Sequence, residues 1–129
     1  MKNEAMRAIV VGWTDDMPSL MAACDALVEN AGGLTAFEAM RAGLPVITYE
    51  PIPGHGRENA EAMSSAGVAR VADDGEQLRV LLEALVHPGP TRTAQVASGT
   101  NLFVSDPARL VAEFLSREPA VEPQVGTPA

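Results

Sequence analysis

Cysteine and aromatic residues are nearly missing from this chain of 129 residues, and each shortage removes a class of function. The single cysteine, Cys24, permits neither an internal disulfide nor a cysteine metal site, so a reducing, cytoplasmic setting is expected. Within Leu20-Met-Ala-Ala-Cys24 it reads as a small buried apolar residue. Aromatics form 4% of the chain, too few for a surface that stacks single-stranded nucleic acid. Nine basic residues face 17 acidic ones, giving a formal net charge of −8 with no run of Lys or Arg. That balance argues against nucleic acid as a partner and against docking on an anionic membrane surface. No apolar stretch approaches the ~20 residues of a membrane span, so no direct membrane insertion is expected, and no signal-peptide core opens the chain. No metal-ligand spacing is present and no cofactor is implied.

What is present is an ordinary globular composition, 47% apolar and 20% charged, in a length that suits one domain. Four short β-like runs, Ala8–Gly12, Ala26–Asn30, Pro45–Tyr49 and Val68–Ala72, alternate with helical patterns at about 16–24, 34–42, 57–66 and 75–86. Leu78, Leu81, Leu82 and Leu85 share one helix stripe, and Asp74 and Gln77 suit its N-cap and N3 positions. Pro18 fits a first helical turn, while Gly43 and Gly67 fall just past two helix ends. The alternation predicts parallel βαβ units: an α/β, Rossmann-like sheet of about four strands flanked by helices. Residues 91–97 form a weak helix candidate. Asp106-Pro107 caps a stronger one whose apolar face holds Leu110, Val111, Phe114 and Leu115. A domain over 1–117 and a polar, proline-interrupted, disordered tail over 118–129 are expected.

The segment Asn30-Ala-Gly-Gly-Leu-Thr-Ala-Phe-Glu38 carries the most chemistry. A strand that breaks at Gly32-Gly33 and turns at once into a helix aims free N–H groups, and the positive end of a helix dipole, at one point. That arrangement favours an anion, phosphate above all; a tight turn without a ligand is the alternative. Thr35 and Glu38 fit a capping box, and Glu38 equally fits a carboxylate accepting two ribose hydroxyls. The loop from Tyr49 to Asn59 follows the third run and brings His55, Arg57, Glu58 and Asn59 together, a donor and acceptor array suited to a sugar or simply to solvent. The segment Gly12-Trp-Thr-Asp-Asp-Met17 closes the first run, its acidic pair better read as helix N-terminal charge than as an acid/base couple.

These motifs, with Ala42-Gly-Leu-Pro-Val-Ile47 and Pro53-Gly-His-Gly-Arg-Glu-Asn-Ala60, resemble the C-terminal, nucleotide-sugar half of GT-B glycosyltransferases over about residues 8–86. The similar group contains the lipid II N-acetylglucosaminyltransferase, monogalactosyldiacylglycerol synthase and the processive diacylglycerol glucosyltransferases. The resemblance implies a UDP-sugar donor, with uracil beside Trp13 and Thr14 and diphosphate on the turn Gly32, Gly33, Leu34 and Thr35. It further implies ribose on Glu38 and the hexose on Gly54, His55, Glu58 and Asn59. This chain has His55-Gly56 where the diacylglycerol enzymes usually have Gln-Glu, which leaves the donor sugar open.

Family members also carry an N-terminal Rossmann domain with the acceptor site and the expected catalytic base. The implied activity is hexosyl transfer to a lipid-linked or other hydrophobic acceptor, through a missing domain or partner subunit, with the isolated chain inactive and the complete enzyme peripheral to the membrane. A non-catalytic nucleotide-binding subunit or sensor and a UDP-sugar 2-epimerase-like fragment are the alternatives. Two family strands are missing beside Ala8–Gly12, so a gap opens in the sheet unless that run pairs directly with Ala26–Asn30 or the sheet is completed across a dimer.

Overall fold

The computed structural model describes residues 7–116. The proposed tail and both chain termini lie outside them. In chain order the elements are α1 (Met17–Ala22), β1 (Leu27–Glu29), α2 (Leu34–Arg41), β2 (Val46–Tyr49), α3 (His55–Ser65), β3 (Arg70–Ala72), α4 (Gly75–Val86), α5 (Pro90–Asn101) and α6 (Pro107–Ser116). The α/β fold class holds, with three parallel strands ordered β1-β2-β3 rather than about four. The register pairs Leu27 with Val46 and Glu29 with Thr48, then Thr48 with Val71 and Tyr49 with Ala72.

Both crossovers step the same way along the sheet, so α2 and α3 fall on one face. There Ala36, Ala39 and Met40 of α2 and Met63 of α3 pack on Val46 and Leu27. The spacing of Ala36, Ala39 and Met40 is that of a single helix stripe, which is why the segment is helical and why that side is buried. On the opposite face Ile47 and Ala72 meet the leucine stripe of α4, with Leu85 fully buried. The expected cap of α4 forms: the Asp74 carboxylate accepts from Gln77 N–H at 2.8 Å, and Gln77 Oε1 accepts from Asp73 N–H at 3.0 Å.

Several expectations are corrected. Ala8–Gly12 is not a strand. It pairs with neither β1 nor any other described segment, and Ile9 and Val10 stand 87% and 95% exposed. Without a neighbour to complete a hydrogen-bond ladder, β-branched composition alone does not make a strand. Cys24 is exposed rather than buried, because α1 stops at Ala22 and buries only Met21.

The weak candidate at 91–97 is the twelve-residue α5, whose apolar signal is faint because its buried positions are Gln95 and Gly99. Gln95 is 2% exposed, and its Nε2 donates to Val46 O at 2.7 Å and Val68 O at 3.2 Å. Gly99 lies where a Cβ would sit 3.3 Å from the Met40 side chain, which brings α5 close to α2. Helix α6 forms as expected, yet it buries no residue, and Leu110, Val111, Phe114 and Leu115 are exposed.

Candidate functional site

The site is built at the carboxyl ends of β1 and β2, where open parallel sheets place their ligand crevices. Strand β1 ends at Glu29, and Asn30–Gly33 turn the chain into α2. Gly32 has φ +62, a left-handed conformation that glycine adopts without a Cβ penalty. A Cβ on Gly32 would also stand 2.9 Å from Asn59 Cβ and 3.2 Å from Met63 Cε. The glycine therefore lets the turn pack directly against α3. Gly33 differs: its φ is −105, and nothing lies within 4 Å of the place its Cβ would occupy.

Helix α2 begins two residues earlier than a capping box requires. Gly33 is its N-cap and makes no side-chain cap, which puts Thr35 at N2, so the Thr35/Glu38 capping-box alternative fails. The first N–H groups of a helix have no partner inside it. Those of Gly33, Leu34 and Thr35 have no side-chain acceptor among the described residues either, so they remain available. The next inward pair is taken. Glu29 Oε2 accepts from Ala31 N–H at 2.7 Å and Gly32 N–H at 2.6 Å, while Glu29 Oε1 accepts from the Thr48 hydroxyl at 2.5 Å.

The second loop is fastened to the first. Ile52 N–H donates to Asn30 O at 2.9 Å, and a Cβ on Gly56 would lie 3.1 Å from Ile52 Cβ and 3.6 Å from the carbonyls of Asn30 and Ala31. Gly54, at φ +84, caps α3, which starts at His55 rather than about Arg57. His55, Glu58 and Asn59 are therefore helical residues in its first turns and not loop residues. His55 Nδ1 stands 3.3 Å from Glu58 Oε2, and both side chains face solvent. Asn59 lies against Gly32. The structure thus brings Gly32 against Asn59 and Gly56 against Asn30 and Ala31, so the starts of α2 and α3 lie near each other. Among the described residues no hydrogen bond or ion pair joins Gly54, His55 or Glu58 to Gly33, Leu34 or Thr35.

Glu38 sits one helical turn along α2, exposed and without a side-chain hydrogen bond among the described residues. It opens onto a groove of about 430 Å³ lined mainly by Met17, Met21, Phe37, Arg41 and Phe103. Trp13 is 95% exposed, and its Nε1 donates to Asp15 at 3.1 Å. Thr14 Oγ1 accepts from Asp16 N–H at 3.0 Å, and the Asp16 carboxylate then caps α1, the helix that supplies one wall of the groove.

Residues that sequence reasoning missed are Glu29, Thr48, Phe37 and Phe103. The only sequence signal for Glu29 was a charged end on an apolar run, and Thr48 becomes its partner only through the β1–β2 register. The Glu50 carboxylate, beside Tyr49, pushes the Tyr49 phenol above its ordinary value. Among the described residues no group of three His, Cys, Asp or Glu side chains could hold a metal ion. No helix among them is long and apolar enough to cross a membrane.

Residues 1–105 match the glycosyltransferase family 28 C-terminal domain. The chain is 27% identical over 109 residues to the processive diacylglycerol beta-glucosyltransferase of Bacillus subtilis (strain 168), a match covering 84% of this chain and 28% of that protein. It is 26% identical over 115 residues to the enzyme of the same name from Bacillus cereus (strain G9842), covering 89% and 30% of the two chains. The chain thus spans roughly three-tenths of the length of these curated relatives.

Proposed function

The chain belongs to the glycosyltransferase family 28 C-terminal domains, and on that premise we propose that it binds the nucleotide-sugar donor of a hexosyltransferase. The donor is a UDP-sugar. Its diphosphate lies on the N–H groups of Gly33, Leu34 and Thr35, its ribose hydroxyls on the Glu38 carboxylate, and its uracil beside Trp13 and Thr14. The hexose meets the start of α3 at Gly54, His55, Glu58 and Asn59. The observation that carries this reading is the free amino end of α2, aimed out of the sheet and flanked on the same helix by an unengaged carboxylate.

The chemistry is displacement at the anomeric carbon. The bond to the diphosphate breaks as the bond to an acceptor hydroxyl forms, and the leaving diphosphate takes the electron pair. Oriented N–H groups and the α2 dipole stabilise that growing negative charge without reorganising. The acceptor, by analogy with relatives named for diacylglycerol, is a lipid or another hydrophobic alcohol. The base that takes its proton belongs to polypeptide beyond the described residues, so this chain by itself binds donor and does not turn it over.

Calorimetry with UDP, UDP-glucose, UDP-galactose and UDP-N-acetylglucosamine tests the reading, on the wild type and on Glu38→Ala. UDP binds the wild type, and the substitution weakens it by about tenfold, the loss expected for two charge-assisted hydrogen bonds made with solvent competing. Unchanged affinity would remove the ribose role of Glu38. No heat with any of the four ligands would remove the donor-site reading altogether.

A further inference from the structure

Glu29 is the one carboxylate that the fold turns into the anion-binding turn, and a sheet contact holds it there. It ends β1 directly opposite Thr48 in the parallel register. Thr48 is fully buried in the central strand, so its hydroxyl is a fixed donor, and it orients the carboxylate by bonding Oε1 at 2.5 Å. The other oxygen then receives Ala31 N–H at 2.7 Å and Gly32 N–H at 2.6 Å. Of the five successive N–H groups from Ala31 to Thr35, an internal anion holds two and three remain open.

We propose that Glu29 is a positioning residue of the nucleotide site, an internal carboxylate that confines an incoming diphosphate to the N–H groups of Gly33, Leu34 and Thr35. This inference rests on the donor-site reading above. Two effects of Glu29 oppose each other. By pinning Ala31 and Gly32 it fixes the left-handed turn that lets α2 start where it does. By keeping a negative charge under the site it also repels the ligand's phosphates, so it limits how tightly the diphosphate is held. Such a limit suits a site that must release UDP after each transfer. A neutral carboxamide keeps the first effect, since its oxygen accepts the same two N–H groups and its NH₂ can donate to the Thr48 oxygen, and it removes the second.

The test uses the full chain, ¹⁵N-labelled, with UDP and uridine as probes followed by amide shifts. In the wild type the Ala31 and Gly32 amides exchange more slowly than those of Gly33, Leu34 and Thr35, and UDP shifts the latter three most. Glu29→Gln raises UDP affinity on the order of threefold to tenfold, leaves uridine affinity unchanged, and loses the gain at high salt. An unaltered UDP-to-uridine affinity ratio in a folded Glu29→Gln chain overturns the inference and leaves the donor-site reading standing. A wild type that binds neither probe overturns that reading, and the role assigned to Glu29 falls with it. Should Glu29→Gln fail to fold, Thr48→Val decides: it speeds exchange at Ala31 and Gly32 if the clamp is as described, and equal exchange across all five amides in the wild type refutes it.

Discussion

Gly32 and Gly33 are adjacent in sequence, and the structure assigns them different duties that a pair of alanine substitutions separates. Gly32→Ala forces a side chain into the left-handed region at φ +62, at ~1–2 kcal/mol. Its Cβ would also stand 2.9 Å from Asn59 Cβ, an atom fixed to the α3 backbone, so α3 must move. Overpacking of that kind costs about 1–3 kcal/mol. Restricting the unfolded chain returns about 0.4–1 kcal/mol, leaving a net loss of about 1–5 kcal/mol.

Gly33→Ala meets no atom within 4 Å and keeps an extended φ of −105. Its unfolded-state gain of about 0.4–1 kcal/mol offsets a similar loss from replacing glycine at an N-cap. Stability therefore stays within about 0.5 kcal/mol of wild type. On the proposed donor placement the new methyl stands where the diphosphate approaches the backbone, so UDP affinity is expected to fall on the order of tenfold. Thermal melts and urea titration read the first quantity, at about 4 °C per kcal/mol for a domain of this size, and calorimetry with UDP reads the second. Equal destabilisation by the two substitutions would refute the geometry of the turn. A Gly33→Ala chain that binds UDP as wild type does would refute the placement of the phosphates.

Other outcomes follow from the same coordinates. Gln95 donates twice to backbone carbonyls, and its own Oε1 is buried without a partner among the described residues. Gln95→Met therefore loses about 2 kcal/mol of hydrogen bonding and removes an orphan acceptor that itself costs ~1–3 kcal/mol, so urea titration finds the two nearly cancelling. Gln95→Glu places a carboxylate against two carbonyls and destabilises by about 3–5 kcal/mol at neutral pH, with partial recovery on acidification as that carboxyl protonates.

Tyr49 is the only tyrosine, so absorbance at alkaline pH follows it alone. Its midpoint lies above the ordinary 10.0 because the Glu50 carboxylate accepts a hydrogen bond from the neutral phenol and disfavours a second negative charge, and Glu50→Gln lowers it. A midpoint unmoved by that change would contradict the Tyr49–Glu50 contact. Arg92 donates to Leu85 O at 2.7 Å and to Asp25 O at 2.5 Å, so Arg92→Met lowers the melting temperature more than Arg109→Met, whose Glu113 partner is exposed on α6.

The sheet, its direction and five of the helices were legible because they rest on local signals: apolar runs, leucine spacing in α4, and the Asp74/Gln77 and Asp106-Pro107 caps. The lost strand at Ala8–Gly12 shows the limit of such signals, since a strand is defined by a neighbour that sequence does not display. Helix α5 hid for a related reason. Its contacts are made by an amide and a glycine, which carry no hydrophobic period. In the site, the glycine turn was readable from composition alone. The exposure of Glu38 depended on where α2 begins, a difference of two residues that also decided against the capping box. Glu29 was not readable, because the partner that orients it is 19 residues away and meets it only across the sheet.

Helix α5 fastens the sheet from the end opposite the glycine turn. Gln95 ties the entries of β2 and β3, and Arg92 ties the approach to β1. The domain thus has a keel and a rim that share few fastenings. Exchanging the rim segment around residues 54–59 for that of a relative with different donor preference disturbs none of the keel's bonds. If the start of α3 meets the donor sugar as proposed, exchanges at residues 54–59 would retune sugar choice without loosening the scaffold.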